Sequence, residues 1–130
     1  MKTSLTLSIL GAYNALMGVL MLFLPDKMAI TMIGTSRAEE NPDLEQMATM
    51  FHYGLAPALL MIGLILIMIR KCDMETAKKS LLAYVIATAV LLTLFFTIFL
   101  KSTVIDFSVE MAVPDILALT LALFGYFKVK

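Results

Sequence analysis

Charged and metal-binding side chains are scarce in this sequence. Only 15% of its 130 residues are charged, against about 25% in soluble globular proteins, and 61% are hydrophobic. A water-soluble domain of this length could not bury so much apolar surface. The chain has one histidine, His52, one cysteine, Cys72, and no tryptophan. A single cysteine excludes an internal disulfide and a dithiol redox pair, and these two residues cannot form a zinc site by themselves.

Long apolar runs take the place of the missing charge. Four runs contain almost no charged residue, and a run of about 18 or more such residues is typical of a transmembrane helix. They cover residues 5–24, 47–69, 80–100 and 111–127, and the last one includes Asp115. No small-x-small cleavage site follows the first run, so we expect it to remain as a helix rather than to be removed as a signal peptide.

These runs predict an all-α fold, a polytopic membrane protein with four transmembrane helices in an antiparallel bundle. Residues 1–130 then form a single integral membrane domain with helices at about 5–24, 42–70, 75–100 and 109–127. We expect the outer loop, residues 25–41, to contain a short interfacial helix that begins at Pro25 and ends at Gly34. This segment is either a connector on the membrane surface or a lid over an outer cavity.

Local signals also place several helix ends. Asn41 is a good N-cap and Pro42 suits the first helical position, so the second long helix is expected to begin there. Asp73 places negative charge where the third long helix begins. The short connection before it predicts a tight antiparallel hairpin of helices. Asp106 or Ser108 is expected to cap the fourth long helix.

The basic residues are distributed unevenly along the chain. With the N-terminus inside the cell, seven of the ten lie on the inner side: Lys2, Arg70, Lys71, Lys78, Lys79, Lys128 and Lys130. This bias predicts that both termini are cytoplasmic, in a cell membrane and most simply a bacterial inner membrane. Basic residues at the membrane boundary can contact lipid head groups, and they give no support to nucleic-acid binding.

Three of the four runs combine small residues with one polar side chain on the same helical face. Small residues mark close helix packing in membranes, where lipid gives no hydrophobic drive between helices. The polar residues are therefore expected to face other helices rather than lipid. The three faces consist of Gly11, Asn14, Ala15 and Gly18; of His52, Ala56, Leu59 and Gly63; and of Asp115, Ala118, Ala122 and Gly125.

The depths of these polar residues suggest a candidate site. His52 and Asp115 fall at similar levels in the outer half of their runs, so we expect them to meet, with Asn14 below them. Further candidates for binding a ligand or a proton are Tyr13, Tyr53 and Glu110. Pro57 and Pro114 can kink their helices and open the outer end of the bundle. The alternative is a purely structural polar cluster.

Cofactor chemistry has little support in the sequence. No catalytic residue is predicted, because no triad, phosphate-binding glycine loop or paired carboxylate motif is present. The one metal hypothesis is Cu(I), since thioethers with an imidazole suit that ion and Met47, Met50 and His52 lie close in sequence. Methionine is also an ordinary filler of apolar helices, and no other cofactor is predicted.

The layout of the chain resembles that of the small four-helix bacterial membrane proteins called DoxX-like. The shared features are a glycine-bearing first helix that ends near a proline, a longer outer loop and three further helices. The resemblance covers nearly the whole chain and implies the same architecture. It is carried by no specific motif, so it implies no functional residue.

Three functions are compatible with these observations. The first is a non-enzymatic accessory subunit, or a binder of a lipid-like or small hydrophobic ligand through the outer polar cluster. The second is a small proton-coupled transporter that uses His52 and Asp115. The third is a membrane subunit of a quinone- or lipid-linked enzyme. The expected partners are membrane lipids, with a homodimer or a membrane partner protein left open.

Overall fold

The computed structural model describes residues 3–127, which form six α-helices and three short 3₁₀ turns and contain no β-strand. The helices are α1 (Thr3–Phe23), α2 (Pro25–Ile33), α3 (Thr35–Glu40), α4 (Pro42–Met68), α5 (Met74–Thr97) and α6 (Val113–Phe127). The 3₁₀ turns cover Ile69–Lys71, Phe99–Lys101 and Val109–Ala112. Lys2, Lys128 and Lys130, which contribute to the predicted charge bias, lie outside the described residues.

Four helical segments are long and apolar enough to span a membrane. They are Thr3–Phe23, Pro42–Lys71, Met74–Lys101 and Val109–Phe127. Large apolar side chains on all four stay exposed, including Leu16, Met61, Ile86 and Leu117. Exposed apolar side chains along entire helices are what a lipid environment favours and water does not. The prediction of an all-α protein with four helices of membrane-spanning length is confirmed for the described residues.

The closest helix pair is α1 with α4, and small residues line its interface. A Cβ atom added to Gly18 would lie 2.6 Å from the backbone nitrogen of Leu60 and 2.8 Å from the carbonyl oxygen of Ala56. One added to Gly63 would overlap the backbone of Ala15. The two backbones therefore touch along the small-residue faces, which is the packing those faces predict.

The last two long helices, α5 and α6, form a second pair, and α1 also contacts both of them. Buried apolar side chains from α1, α5 and α6 pack together, among them Leu7, Leu10, Leu81, Ala118 and Ala122. By contrast, α4 and α5 share no extensive interface, although only Cys72 and Asp73 separate their helical segments. The predicted tight hairpin is therefore not a packed helix pair, because α4 packs on α1 instead.

The connection between α1 and α4 contains two helices rather than the single one expected. Helix α2 packs against α4, and Gly34 joins α2 to α3 with a φ of 87°, a conformation that glycine adopts without strain. The backbone N–H of Asp106 donates to the carbonyl of Met32 at 2.8 Å. This bond ties the connection before α6 to the end of α2.

The expected cap of the fourth long helix is not formed by a side chain. Ser108 precedes the 3₁₀ turn Val109–Ala112, but its side chain makes no capping hydrogen bond, and its carbonyl accepts from the N–H of Met111 at 3.0 Å. Asp106 lies against Gly34 instead of the helix, because its backbone is held by Met32.

Side chains cap two other helix ends: Asn41 as predicted, and Asp73, for which the sequence predicts only a favourable charge at the helix start. The Oδ1 atom of Asn41 accepts from the N–H of Leu44 at 3.2 Å, and α4 begins directly after it at Pro42. Asp73 accepts from the N–H of Thr76 at 2.9 Å and from its hydroxyl at 2.8 Å. These bonds hold the pKa of the Asp73 carboxyl below its ordinary value. The cap therefore stabilises α5 above the ordinary carboxyl pKa and loses this effect as the pH falls through the lowered one.

We expect Gly18→Ala to destabilise the protein, because the added methyl group would press on the α4 backbone, which cannot move aside like a flexible side chain. The expected loss is about 1–3 kcal/mol, measured by reversible unfolding in detergent. Gly54→Ala is the matched control, since nothing lies within 4 Å of the added Cβ atom. That control should be neutral or slightly stabilising, as alanine favours helix. Equal effects of the two substitutions would contradict the close packing of α1 on α4.

Candidate functional site

Two consecutive residues in the middle of α1 carry its main polar contacts. Tyr13 is the central residue of α1, with about 15 Å of helix on each side of it. Neighbouring residues in a helix point about 100° apart, so Tyr13 and Asn14 face different partners. Tyr13 is half-buried and reaches α6, whereas Asn14 is buried and reaches α5.

The contact with α6 is a hydrogen bond to a carboxylate. The hydroxyl of Tyr13 donates to Oδ1 of Asp115 at 3.1 Å. Asp115 lies in the first turn of α6, and the N-terminal end of a helix favours negative charge. Its side chain is half-buried. The helix end and the tyrosine together explain how a carboxylate is held at this place in an apolar segment.

The contact with α5 satisfies a buried amide. The Nδ2 group of Asn14 donates to the carbonyl of Leu10 at 2.8 Å and to the hydroxyl oxygen of Tyr84 at 3.0 Å. Thr88, one turn further along α5, donates its hydroxyl to the carbonyl of Tyr84 at 2.9 Å. Burying a polar group without such bonds is unfavourable. Asn14 and Tyr84 therefore tie α1 to α5.

Tyr13, Asn14, Tyr84 and Asp115 form one group, which we call the central polar cluster. The carboxylate of Asp115 lies within electrostatic range of both tyrosine hydroxyls, so the two contacts of α1 are neighbours. Tyr84 is a site residue that the sequence pattern does not single out. The available signal was that it is the only ionisable side chain of the run 80–100 and lies one helical turn before Thr88.

The structure does not join His52 to Asp115. His52 is buried, and its Nδ1–H donates to the carbonyl of Ala48 within its own helix at 2.7 Å. No hydrogen bond or ion pair links His52 to Asp115 within residues 3–127. Helix α4, which carries His52, shares no extensive interface with α6, so similar depth does not bring the two residues together.

The two remaining binding candidates also lie apart from the central polar cluster. Tyr53 is exposed and lines an open groove of about 510 Å³ between α2 and α4, together with Asp26 and Glu45. Glu110 is exposed in the 3₁₀ turn before α6, and no side-chain hydrogen bond or ion pair of Glu110 is found among the described residues.

The two prolines occupy different helical positions. Pro57 lies inside α4, and the helix continues on both sides of it. Pro114 is the second residue of α6, where the 3₁₀ turn Val109–Ala112 gives way to α-helix. A proline in the first turn of a helix removes an N–H that has no helical partner in any case.

The proposed copper ligands point in different directions. Met47 and Met50 are 69% and 63% exposed, whereas His52 is 5% exposed. The copper hypothesis therefore stays a prediction without a shared site to support it. Among residues 3–127, no group of three or more His, Cys, Asp or Glu side chains could hold a metal ion.

An apolar groove adjoins the central polar cluster on the surface formed by α1 and α6. Its volume is about 240 Å³, and its lining is almost entirely apolar: Ile9, Leu10, Tyr13, Pro114, Leu117, Ala118 and Leu121. Tyr13 belongs to both features, because its ring lines the groove while its hydroxyl bonds to Asp115. We call this feature the α1–α6 groove, and it places an apolar surface directly beside a carboxylate.

No protein-family model matches this chain, and comparisons with curated proteins and with solved structures gave no match. A function must therefore be inferred from the geometry of the described residues.

We expect Tyr13→Phe and Asp115→Ala to be energetically coupled. Each removes one partner of the same hydrogen bond, so the double variant should lose less stability than the two single variants added together. The expected coupling energy is about 0.5–1.5 kcal/mol, from a double-mutant cycle of unfolding in detergent. A cycle of His52→Gln with Asp115→Ala is the control and should show no coupling. Coupling in the second cycle and not in the first would contradict this site.

Proposed function

We propose that this protein is a small non-enzymatic membrane protein that binds a lipid-like or small hydrophobic molecule in the α1–α6 groove. The observation that carries the proposal is the groove itself, which is apolar along its length and adjoins a hydrogen-bonded carboxylate. Binding sites for small molecules are typically apolar surfaces with a few placed polar groups. The volume of about 240 Å³ suits part of one alkyl chain rather than a large ligand.

The polar cluster gives the groove its selectivity under this proposal. In a membrane, lipid chains can cover any apolar surface. Shape and polar contacts must therefore distinguish the ligand from bulk lipid. An ionisable residue inside a span is unfavourable and is a candidate functional group by default. Asp115 is such a residue, and Tyr13 orients one of its oxygens. The carrier hypothesis that pairs Asp115 with His52 has no contact between them to support it.

We further propose an antiparallel bundle with both termini in the cytoplasm of a bacterial cell and the spans in its inner membrane. The support is the distribution of basic residues. Arg70, Lys71, Lys78 and Lys79 surround the turn at residues 72–73, whereas the connections at the other end carry fewer basic side chains. The DoxX-like resemblance agrees with this topology and stays a prediction.

Blocking the groove should reduce ligand retention. Leu117 is an exposed residue of the groove, and Leu117→Trp should fill it without disturbing the buried helix contacts. We expect this variant to bind monolaurin, a neutral single-chain lipid, at least about fivefold more weakly in native mass spectrometry from mild detergent, since it removes much of the groove. Leu64→Trp on α4 is the matched control and should bind like the unchanged protein. Equal binding by both tryptophan variants would refute the groove as a ligand site.

The topology can be tested with single cysteines. Cys72 lies in the turn assigned to the cytoplasm, so a membrane-impermeant maleimide should label it only after cells are permeabilised. Lys101→Cys in a Cys72→Ser background should be labelled in intact cells, because this residue lies at the outer end of the third span. The reverse pattern would invert the proposed orientation.

A further inference from the structure

Asp115 has no positively charged partner among the described residues. The one salt bridge found in residues 3–127 joins Lys79 to Glu75, both exposed at the other end of α5. Oδ1 of Asp115 accepts from Tyr13, and no hydrogen bond to its second carboxylate oxygen is found in the part of the chain that the structure describes. A carboxylate in an apolar environment is strongly unfavourable without a counter-charge or donors for its oxygens.

The position of this carboxylate matches the α1–α6 groove. Asp115 is half-buried and lies between Pro114 and Leu117, both of which line the groove, and Tyr13 lines it from the facing helix. A ligand chain lying along the groove would therefore end near the unfilled carboxylate oxygen. Asp115 does not itself line the groove but adjoins it, since Tyr13 and Pro114 both line it and Tyr13 bonds to Asp115.

The outer connections carry a net negative charge, as Asp115 does. Residues 24–46 and 101–110 contain seven carboxylates and three basic side chains, and the bond from Asp106 to Met32 shows that these two connections lie together. An acidic surface raises the local concentration of cations. A positively charged head group is thus attracted to the outer end of the bundle, from which it would reach Asp115.

We propose that the ligand of the α1–α6 groove is a single-chain amphiphile with a cationic, N–H-donating head group, such as a protonated alkylamine. Its head group pairs with Asp115 and its chain lies along Ile9, Leu117 and Leu121. This inference rests on the proposed function, because it names the ligand class of the same groove. Charge-assisted hydrogen bonds are the stronger class, and a low-dielectric setting strengthens the attraction further.

The test compares three probes that share a twelve-carbon chain: dodecylamine, which is protonated at pH 7, dodecanol and dodecanoate. Native mass spectrometry from a neutral detergent measures the bound fraction of each. We expect the unchanged protein to bind dodecylamine about tenfold more tightly than dodecanol and to bind dodecanoate least, because the carboxylate attracts only the first head group. In Asp115→Asn, the amine and the alcohol should bind about equally.

Matched variants separate charge from folding. Asp43→Asn makes the same chemical change on the exposed first turn of α4 and should keep the tenfold preference. Asp115→Glu keeps the charge and should keep a preference for the amine even if its affinity is lower. Retained binding of dodecanol by Asp115→Asn would show that the groove is intact in that variant. If Asp115→Asn binds no probe, the Asp115→Glu result decides, and loss of its amine preference overturns the inference.

The remaining outcomes distinguish the two proposals. If Asp115→Asn keeps the amine preference, or if the unchanged protein prefers dodecanol or dodecanoate, the cationic ligand class is wrong. The groove itself stands in that case, provided that Leu117→Trp still weakens binding of the preferred probe. If Leu117→Trp changes the binding of no probe, both the proposed function and the ligand class fail.

Discussion

Helices surrounded by lipid gain no hydrophobic energy by associating, so close backbone contact and hydrogen bonds must hold them together. Helix α1 supplies both kinds of contact. Its glycines, Gly11 and Gly18, lie against the backbone of α4, while Tyr13 and Asn14 hydrogen-bond to α6 and α5. Every other long helix is therefore positioned by its contact with α1. The candidate site lies where Tyr13 bonds to Asp115, because Tyr13 also lines the α1–α6 groove.

The features that could be predicted from the sequence are those set by local patterns. Apolar run length gives the four spans, since helix rise fixes how many residues a membrane requires. Asn41 and Asp73 act as N-caps through bonds to residues three positions later, and such local bonds can be predicted from the sequence. The small-residue faces of α1 and α4 could also be read, because helical periodicity decides which residues share a face.

Pairing between distant helices could not be predicted in the same way. Periodicity shows that His52 and Asp115 both face protein, but it does not say which helix each one faces. Asp115 bonds to Tyr13 and His52 bonds within α4, because α4 packs on α1 and not on α6. Tyr84 could not be predicted as a site residue for a related reason, since only its hydrogen bond with Asn14 on another helix distinguishes it.

The central claim is that Asp115 belongs with Tyr13 beside the α1–α6 groove and not with His52. Solid-state NMR of the protein in lipid bilayers tests it directly, with ¹³C labels on the tyrosine rings, the histidine ring and the aspartate carboxyl carbons. A through-space cross-peak between the Tyr13 ring and the Asp115 carboxyl carbon, lost in Asp115→Ala, is the predicted result. A cross-peak from the Asp115 carboxyl carbon to the His52 ring, with none to Tyr13, would contradict the account.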